Sequence, residues 1–186
     1  KINEEVIKLF PNAKVCLISS DIVKREKDWE RNLNLIKNNK FDIIIGTQIT
    51  AKGHHFPNLK TVGILNIDNI LNSFDLRSSE KAFQLITQVS GRAGREDDQG
   101  NVIIQTFQPN HPVIKAIKNS NKEEFLKWEI NQRQNNNQPP FSSLVAIIIS
   151  GINNDHVEKE SIKLVNIIKK KFSFIYIYGP APALLN

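Results

Sequence analysis

Apolar residues in this chain follow two periods, and the switch between them marks the elements. Short runs rich in Val and Ile, such as Val15-Cys16-Leu17-Ile18 and Ile43-Ile44-Ile45, read as buried strands. Between them, apolar residues recur at helical spacing. Residues 4–10 form a first helix, stopped before Pro11, and 15–19 a strand. Trp29, Leu33 and Ile36 mark a helix that Asn38-Asn39 closes, and 41–45 and 61–67 are strands. Ser78 or Ser79 caps a helix whose Ala82, Phe83, Ile86 and Val89 form one apolar stripe, with Gln84 and Gln88 a turn apart and off it. A strand over 100–107 and helices over 111–117 and 122–134 follow. Alternating strands and helices predict βαβ units, hence an α/β fold with a mostly parallel sheet flanked by helices.

The pattern lapses at Asn135-Asn136-Asn137-Gln138-Pro139-Pro140, which has no apolar periodicity and carries two helix breakers. This gives a first domain over 1–134, a linker over 135–141 and a partial second domain over 142–186. The second part predicts a strand over 144–150, a helix over 158–171 and a strand over 174–178, the start of a small α+β domain. Its Lys169-Lys170-Lys171 run reads as a solvated helix end.

Composition narrows the class. The 186 residues are 40% hydrophobic and 24% charged, which fits a globular protein. No run of eighteen apolar residues exists, so no membrane span is expected, and the first residues lack a secretory signal pattern. These features point to a cytoplasmic protein. The chain contains no methionine at all, which implies a natural start elsewhere or an excised piece. Its one cysteine, Cys16, lies inside an apolar run and reads as a small buried hydrophobe. A formal charge of +6 favours polyanions through counterion release. Richness in Lys, Asn and Ile is equally what an AT-rich coding sequence produces.

Two motifs carry the chemistry. Gln88-Val89-Ser90-Gly91-Arg92-Ala93-Gly94-Arg95 puts two arginines three residues apart at a helix end. Arginine stays protonated and presents a planar fork that fits phosphate oxygens, and the glycines let backbone and ligand approach. A basic, glycine-marked helix end is the plain alternative. Gly46-Thr47-Gln48-Ile49-Thr50-Ala51-Lys52-Gly53 directly follows a predicted strand and has the make-up of a phosphate-touching loop. A Walker A loop requires a second glycine where Ala51 stands and a hydroxyl where Gly53 stands, so no primary nucleotide cradle lies here. His54-His55 lacks a Cys or carboxylate cluster at ligand spacing, so no metal site is expected. Trp29 and Trp128 sit at helical spacing with Leu33 and Phe125 and read as core residues.

Together, about forty residues apart, these motifs resemble motifs V and VI of the second RecA-like lobe of a superfamily 2 helicase. The runs between and after them are more specific: Ala51-Lys52-Gly53-His54-His55-Phe56-Pro57, Asp75-Leu76-Arg77-Ser78-Ser79-Glu80, Gln105-Thr106-Phe107-Gln108-Pro109-Asn110-His111-Pro112 and Gln138-Pro139-Pro140-Phe141. They resemble the bacterial primosomal protein N′ family of replication-restart DNA helicases over nearly the whole chain. Full-length members are several times longer. The resemblance therefore implies a C-terminal fragment that begins after the family's zinc segment and stops inside its C-terminal domain.

That resemblance implies ATP-driven 3′-to-5′ unwinding at stalled forks and the start of primosome assembly. It implies ATP and Mg²⁺ held mainly by the absent first lobe, and zinc only in the absent preceding segment. Implied partners are forked or single-stranded DNA, other primosome proteins, single-stranded DNA-binding protein and the replicative helicase. Arg95 is the expected arginine finger, Arg92 its neighbour, and Gln88 a phosphate contact or a link between the two. Gly53 is expected near the nucleotide. Thr47, grouped with Gln48 and Lys52, is expected to contact DNA; for Lys52, a phosphate contact and pairing with an acid stand equal. The isolated chain is expected not to hydrolyse ATP.

Asn66 stands where the family has an acid in a strand-end D-x-D pattern, and Ser90 where alanine is usual. The Asn66 change is either neutral or weakens coupling between DNA and ATP. Two other functions compete with the helicase reading: a non-catalytic basic DNA- or partner-binding module from a decayed helicase gene, and a superfamily 2 ATPase acting on RNA.

Overall fold

Val15, Cys16, Leu17 and Ile18 form β1 (Val15–Ile18), with Cys16 and Ile18 buried on one face at period two. The computed structural model that shows this describes residues 1–18, 26–47, 56, 58–73, 75–91, 93 and 100–182, without the side chains of 26–28. Two units make up the chain, Lys1–Gln132 and Arg133–Asn186.

In the first unit, α1 (Ile2–Leu9) leads into β1, which pairs in parallel with β2 (Ile43–Gly46), Val15 opposite Ile43 and Ile18 opposite Gly46. The crossover includes α2 (Glu26–Lys37), whose Ile36 joins Cys16, Ile18 and Phe56 in one core, with Trp29 and Leu33 packed against it. Asn39 closes this helix at φ 52°, a left-handed conformation that asparagine tolerates. The Cys16 thiol is buried, and burial pushes its pKa up, so it behaves as the small hydrophobe expected.

A second parallel pair joins β3 (Thr61–Ile64) to β4 (Asn101–Ile104), with Val62 opposite Val102 and Ile64 opposite Ile104. Between them lie α3 (Asp68–Leu71) and α4 (Ser78–Ser90); α5 (Pro112–Lys118) and α6 (Lys122–Asn135) follow. Ile67, Leu71, Ala82, Phe83, Ile86, Val113, Ile114, Ala116 and Phe125 form one core under this pair, and Trp128 packs on it. Full burial of side chains such as Ile86 and Val113 stabilises by about 1.5–3 kcal/mol each. Both tryptophans thus pack on cores, as their spacing predicted.

The α/β class and parallel pairing hold, the described strands pairing as two two-stranded parallel sheets. The strand expected over 61–67 stops at Ile64, because Asn66 adopts φ 54° and turns the chain into α3, which the apolar pattern hid. No helix among the described residues is long and apolar enough to cross a membrane.

The second unit holds α7 (Asn154–Lys171), a turn longer than expected because the Asn153 side chain accepts from the His156 amide at 3.1 Å. Lys169, Lys170 and Lys171 are exposed in its last turn, where cations suit the helix dipole. The strands expected over 144–150 and 174–178 do not form: neither segment joins a ladder, Phe174 lies in a turn, and Val145, Ile148, Phe174 and Tyr176 are exposed. Alternation supplies a side-chain pattern; a strand also needs a neighbouring strand for its backbone donors and acceptors, and neither segment pairs with one among the described residues.

Candidate functional site

Helix α4 positions Gln88. Its stripe of Ala82, Phe83 and Ile86 faces the core, so at 3.6 residues per turn Gln84 and Gln88 are carried to the opposite, exposed face. Gln84 donates to Glu80 at 3.1 Å one turn earlier. The Ser78 or Ser79 cap is corrected: the N-cap is Arg77, with no side-chain cap bond. Asp75 does that work instead. Its carboxylate accepts the Arg77 amide at 2.8 Å and pairs with Lys81. The Lys81 hydrogen bond, then the Arg77 amide, hold the Asp75 carboxyl below the usual carboxylate range.

At its far end, α4 stops at Ser90. Gly91 follows with φ −68° and ψ 0°, and its amide donates to the Thr87 carbonyl at 3.0 Å. The Ala93 amide donates to the Ser90 carbonyl at 3.2 Å, which curls the chain back over the helix end. Gly91 is therefore not the left-handed glycine that commonly ends helices. Its conformation is open to any residue, and what glycine supplies there is the missing side chain.

Thr47 is exposed and directly follows Gly46 at the carboxyl end of β2, beside the end of β1. Carboxyl ends of parallel strands are where α/β folds bind ligands. Gln88 belongs to a helix of the other core. Gln48, Lys52, Gly53, Arg92 and Arg95 lie outside the described residues, as do His54 and His55.

A second strand exit is built more tightly. Beyond β3, Asn66 turns the chain and Asp68 opens α3 with a buried side chain. Beyond β4, the Thr106 hydroxyl donates to Asp68 Oδ1 at 2.8 Å and the Phe107 amide to Asp68 Oδ2 at 3.0 Å. The Gln108 amide donates to Thr106 Oγ1 at 2.9 Å, and Gln108 Nε2 to Asn72 Oδ1 at 2.9 Å. His111 then caps α5, its Nδ1 accepting the Val113 amide at 3.2 Å while its ring meets Trp128 edge-on. Burial holds the His111 pKa below its usual value, against the pull of the Asp68 charge. The sequence reading took Asn66 and the Thr106-Phe107 run separately and missed the union of Asp68 with that run. The available signal was a polar residue just past each of two parallel strands. At Asn66, asparagine and aspartate both tolerate the left-handed conformation, so the acid-to-amide change leaves this turn intact.

Comparison with known proteins bears on both exits. The helicase conserved C-terminal domain family matches residues 1–97. Replication restart protein PriA of Rickettsia prowazekii (strain Madrid E) is 38% identical over 186 residues, all of this chain and 28% of that protein. The protein of the same name from Synechocystis sp. is 37% identical over 185 residues, 98% of this chain and 22% of the relative. That from Bacillus subtilis (strain 168) is 41% identical over 150 residues, 81% and 19% respectively. The chain thus spans less than a third of the length of these relatives.

Proposed function

Because the chain belongs to the helicase conserved C-terminal domain family, we propose that it supplies the second RecA-like lobe, and the start of a C-terminal domain, of an ATP-dependent 3′-to-5′ DNA helicase that restarts stalled replication forks. One observation carries this reading: identity of 38% over the whole chain to a replication restart protein. The family match over 1–97 takes in both motifs.

In this reading a first lobe grips the triphosphate and its magnesium, and this chain works from across the cleft. The donor set fits such a ligand. Arg92 and Arg95 bring two permanent forked cations, Gln88 an exposed amide, and Gly53 and Gly91 the lack of side-chain bulk. Arg95 stabilises charge on the transferring phosphoryl oxygens, with Arg92 beside it. Thr47, with Gln48 and Lys52, holds DNA phosphates, contacts that position a strand without reading its sequence. Zinc belongs to a segment outside this chain. The cytoplasm is the proposed location, and primosome proteins, single-stranded DNA-binding protein and the replicative helicase are the proposed partners. Alone, the chain holds half of the site and does not turn ATP over.

The test is DNA-stimulated ATPase of the intact helicase. Arg95→Ala is expected to lower turnover by about 10³–10⁵-fold, and Arg95→Lys to recover little, because a point charge does not reproduce the fork. Turnover within a few-fold of wild type in Arg95→Ala removes the arginine finger from this chain.

A further inference from the structure

We propose that Phe107 is a stacking platform for one unpaired base of single-stranded DNA, at the carboxyl ends of β3 and β4. The proposal rests on the reading that this protein acts on DNA, and adds a contact outside both helicase motifs.

Phe107 is the most exposed aromatic among the described residues, 94% open to solvent, whereas Phe83 and Phe125 of the same unit are buried. A surface ring is ordinarily mobile and means little. The backbone that carries this one is held on both sides. Its own amide is bonded to the buried Asp68 carboxylate, the preceding Thr106 hydroxyl is bonded to the same carboxylate, and the following Gln108 is tied to Thr106 and Asn72. The fold thus spends a buried acid and two cross-element bonds on fixing the backbone from which an apolar ring enters water. A backbone already fixed leaves only the ring's own two torsions to be ordered on binding.

The place and surroundings select the ligand. Ligands of parallel sheets gather at strand carboxyl ends, and Phe107 comes three residues after Ile104, the last of β4. Next to the ring in the chain lie amides, Gln105 and Gln108, and across the exit Asn66 and Asn72. Apart from the exposed Leu65 just past β3, the ring stands among amides; this is too small an apolar area for a protein interface and matches one base, whose face stacks and whose edges take hydrogen bonds. Residues 65–73 and 105–111 contain no Lys or Arg, so the contact is to a base and not to a phosphate.

Anisotropy of a fluorescein-labelled oligothymidylate bound to the intact helicase tests this. Phe107→Ala is expected to weaken binding by about tenfold, and Phe107→Trp to hold it within about twofold, since stacking needs only a π face. The slope of log K against log salt stays at the wild-type value, because no counterion is released through the ring. The melting temperature of Phe107→Ala stays unchanged, because the ring is almost fully open to solvent. Equal affinity of Phe107→Ala and wild type overturns the platform alone. So does a loss of affinity accompanied by lower melting or a shallower salt slope. A wild-type protein that does not bind the oligonucleotide overturns the DNA reading and the platform with it.

Discussion

Asp68 and Phe107, 39 residues apart, are joined by a hydrogen bond of 3.0 Å from the Phe107 amide to the Asp68 carboxylate. The other carboxylate oxygen takes the Thr106 hydroxyl at 2.8 Å. The bonds fasten the start of α3 to the exit of β4, so the ends of two parallel strands move as one piece. Asp68 is only 8% exposed, and its removal leaves two part-buried donors without their acceptor. Asp68→Ala is expected to cost about 1–3 kcal/mol, and Asp68→Asn less, since its amide oxygen still accepts one of the bonds. Urea unfolding with an unchanged m-value measures this. A midpoint equal to wild type in Asp68→Ala removes the clasp from the stability of the fold.

His111 links that exit to pH. Its Nδ1 accepts the Val113 amide, so the capping form is the neutral imidazole. Burial lowers its pKa from 6.5, and the Asp68 charge opposes this shift without reversing it. A base with a lowered folded pKa binds fewer protons folded than unfolded. Its stabilisation is fully present above pH 6.5 and is lost as pH falls below that value toward the lowered one. The thermal midpoint is expected to drop between about pH 7.5 and pH 5.5, with Asn at position 111 capping α5 but flattening this step. A step of the same size in His111→Asn assigns the titration to another group.

What the sequence reveals depends on whether a feature is local. The stripe Ala82, Phe83, Ile86 is buried as spaced, and Asn39 closes α2 where the asparagine pair indicated. The replication-restart resemblance, read from short runs, is matched by relatives over the whole chain. Strand ends were less legible. Ile67 extends the apolar run of β3 yet is buried from a turn, because Asn66 has already rotated the chain. The union of Asp68 with Thr106 and Phe107 depends on β3 and β4 lying side by side, which no local pattern states. In the second unit, alternation over 144–150 and 174–178 describes one side of a ladder, and pairing is decided by the other. Of the proposed nucleotide and DNA residues, Thr47 and Gln88 are placed in the fold. Arg92 and Arg95 are identified by residue type and spacing.

Phe125 and Phe83 stack with centroids 4.3 Å apart and planes 5° from parallel, and Trp128 leans on Phe125 at 6.3 Å. Phe125 is 3% exposed and joins α6 to the core beneath α4. Phe125→Ala is expected to cost about 3–5 kcal/mol through lost transfer energy and the cavity left under α4. Phe125→Leu, which refills most of the volume, is expected to cost less. Chemical unfolding monitored at Trp128 reads both. A cost below about 1 kcal/mol for the alanine variant means that α6 is dispensable to this core.

Gly91 separates the two readings of the arginine motif. Its φ of −68° lies where every residue is comfortable, and an added Cβ would sit 3.4 Å from the Thr87 carbonyl oxygen and 3.9 Å from that of Gln88. These are ordinary contacts, so the fold accepts alanine. Alanine also narrows the unfolded ensemble, so Gly91→Ala is expected to leave stability unchanged or raise it by about 0.4–1 kcal/mol. A merely structural helix end then predicts a fully active variant. A backbone that a triphosphate must approach predicts the reverse, because a methyl group at the turn displaces reacting groups by about 1 Å, enough to cost on the order of 10²-fold in rate. The intact helicase carrying Gly91→Ala is expected to melt no lower than wild type and to lose most of its DNA-stimulated ATPase. Retained turnover in a fully folded variant returns the glycine to the role of a helix end and leaves the arginines to carry the motif alone.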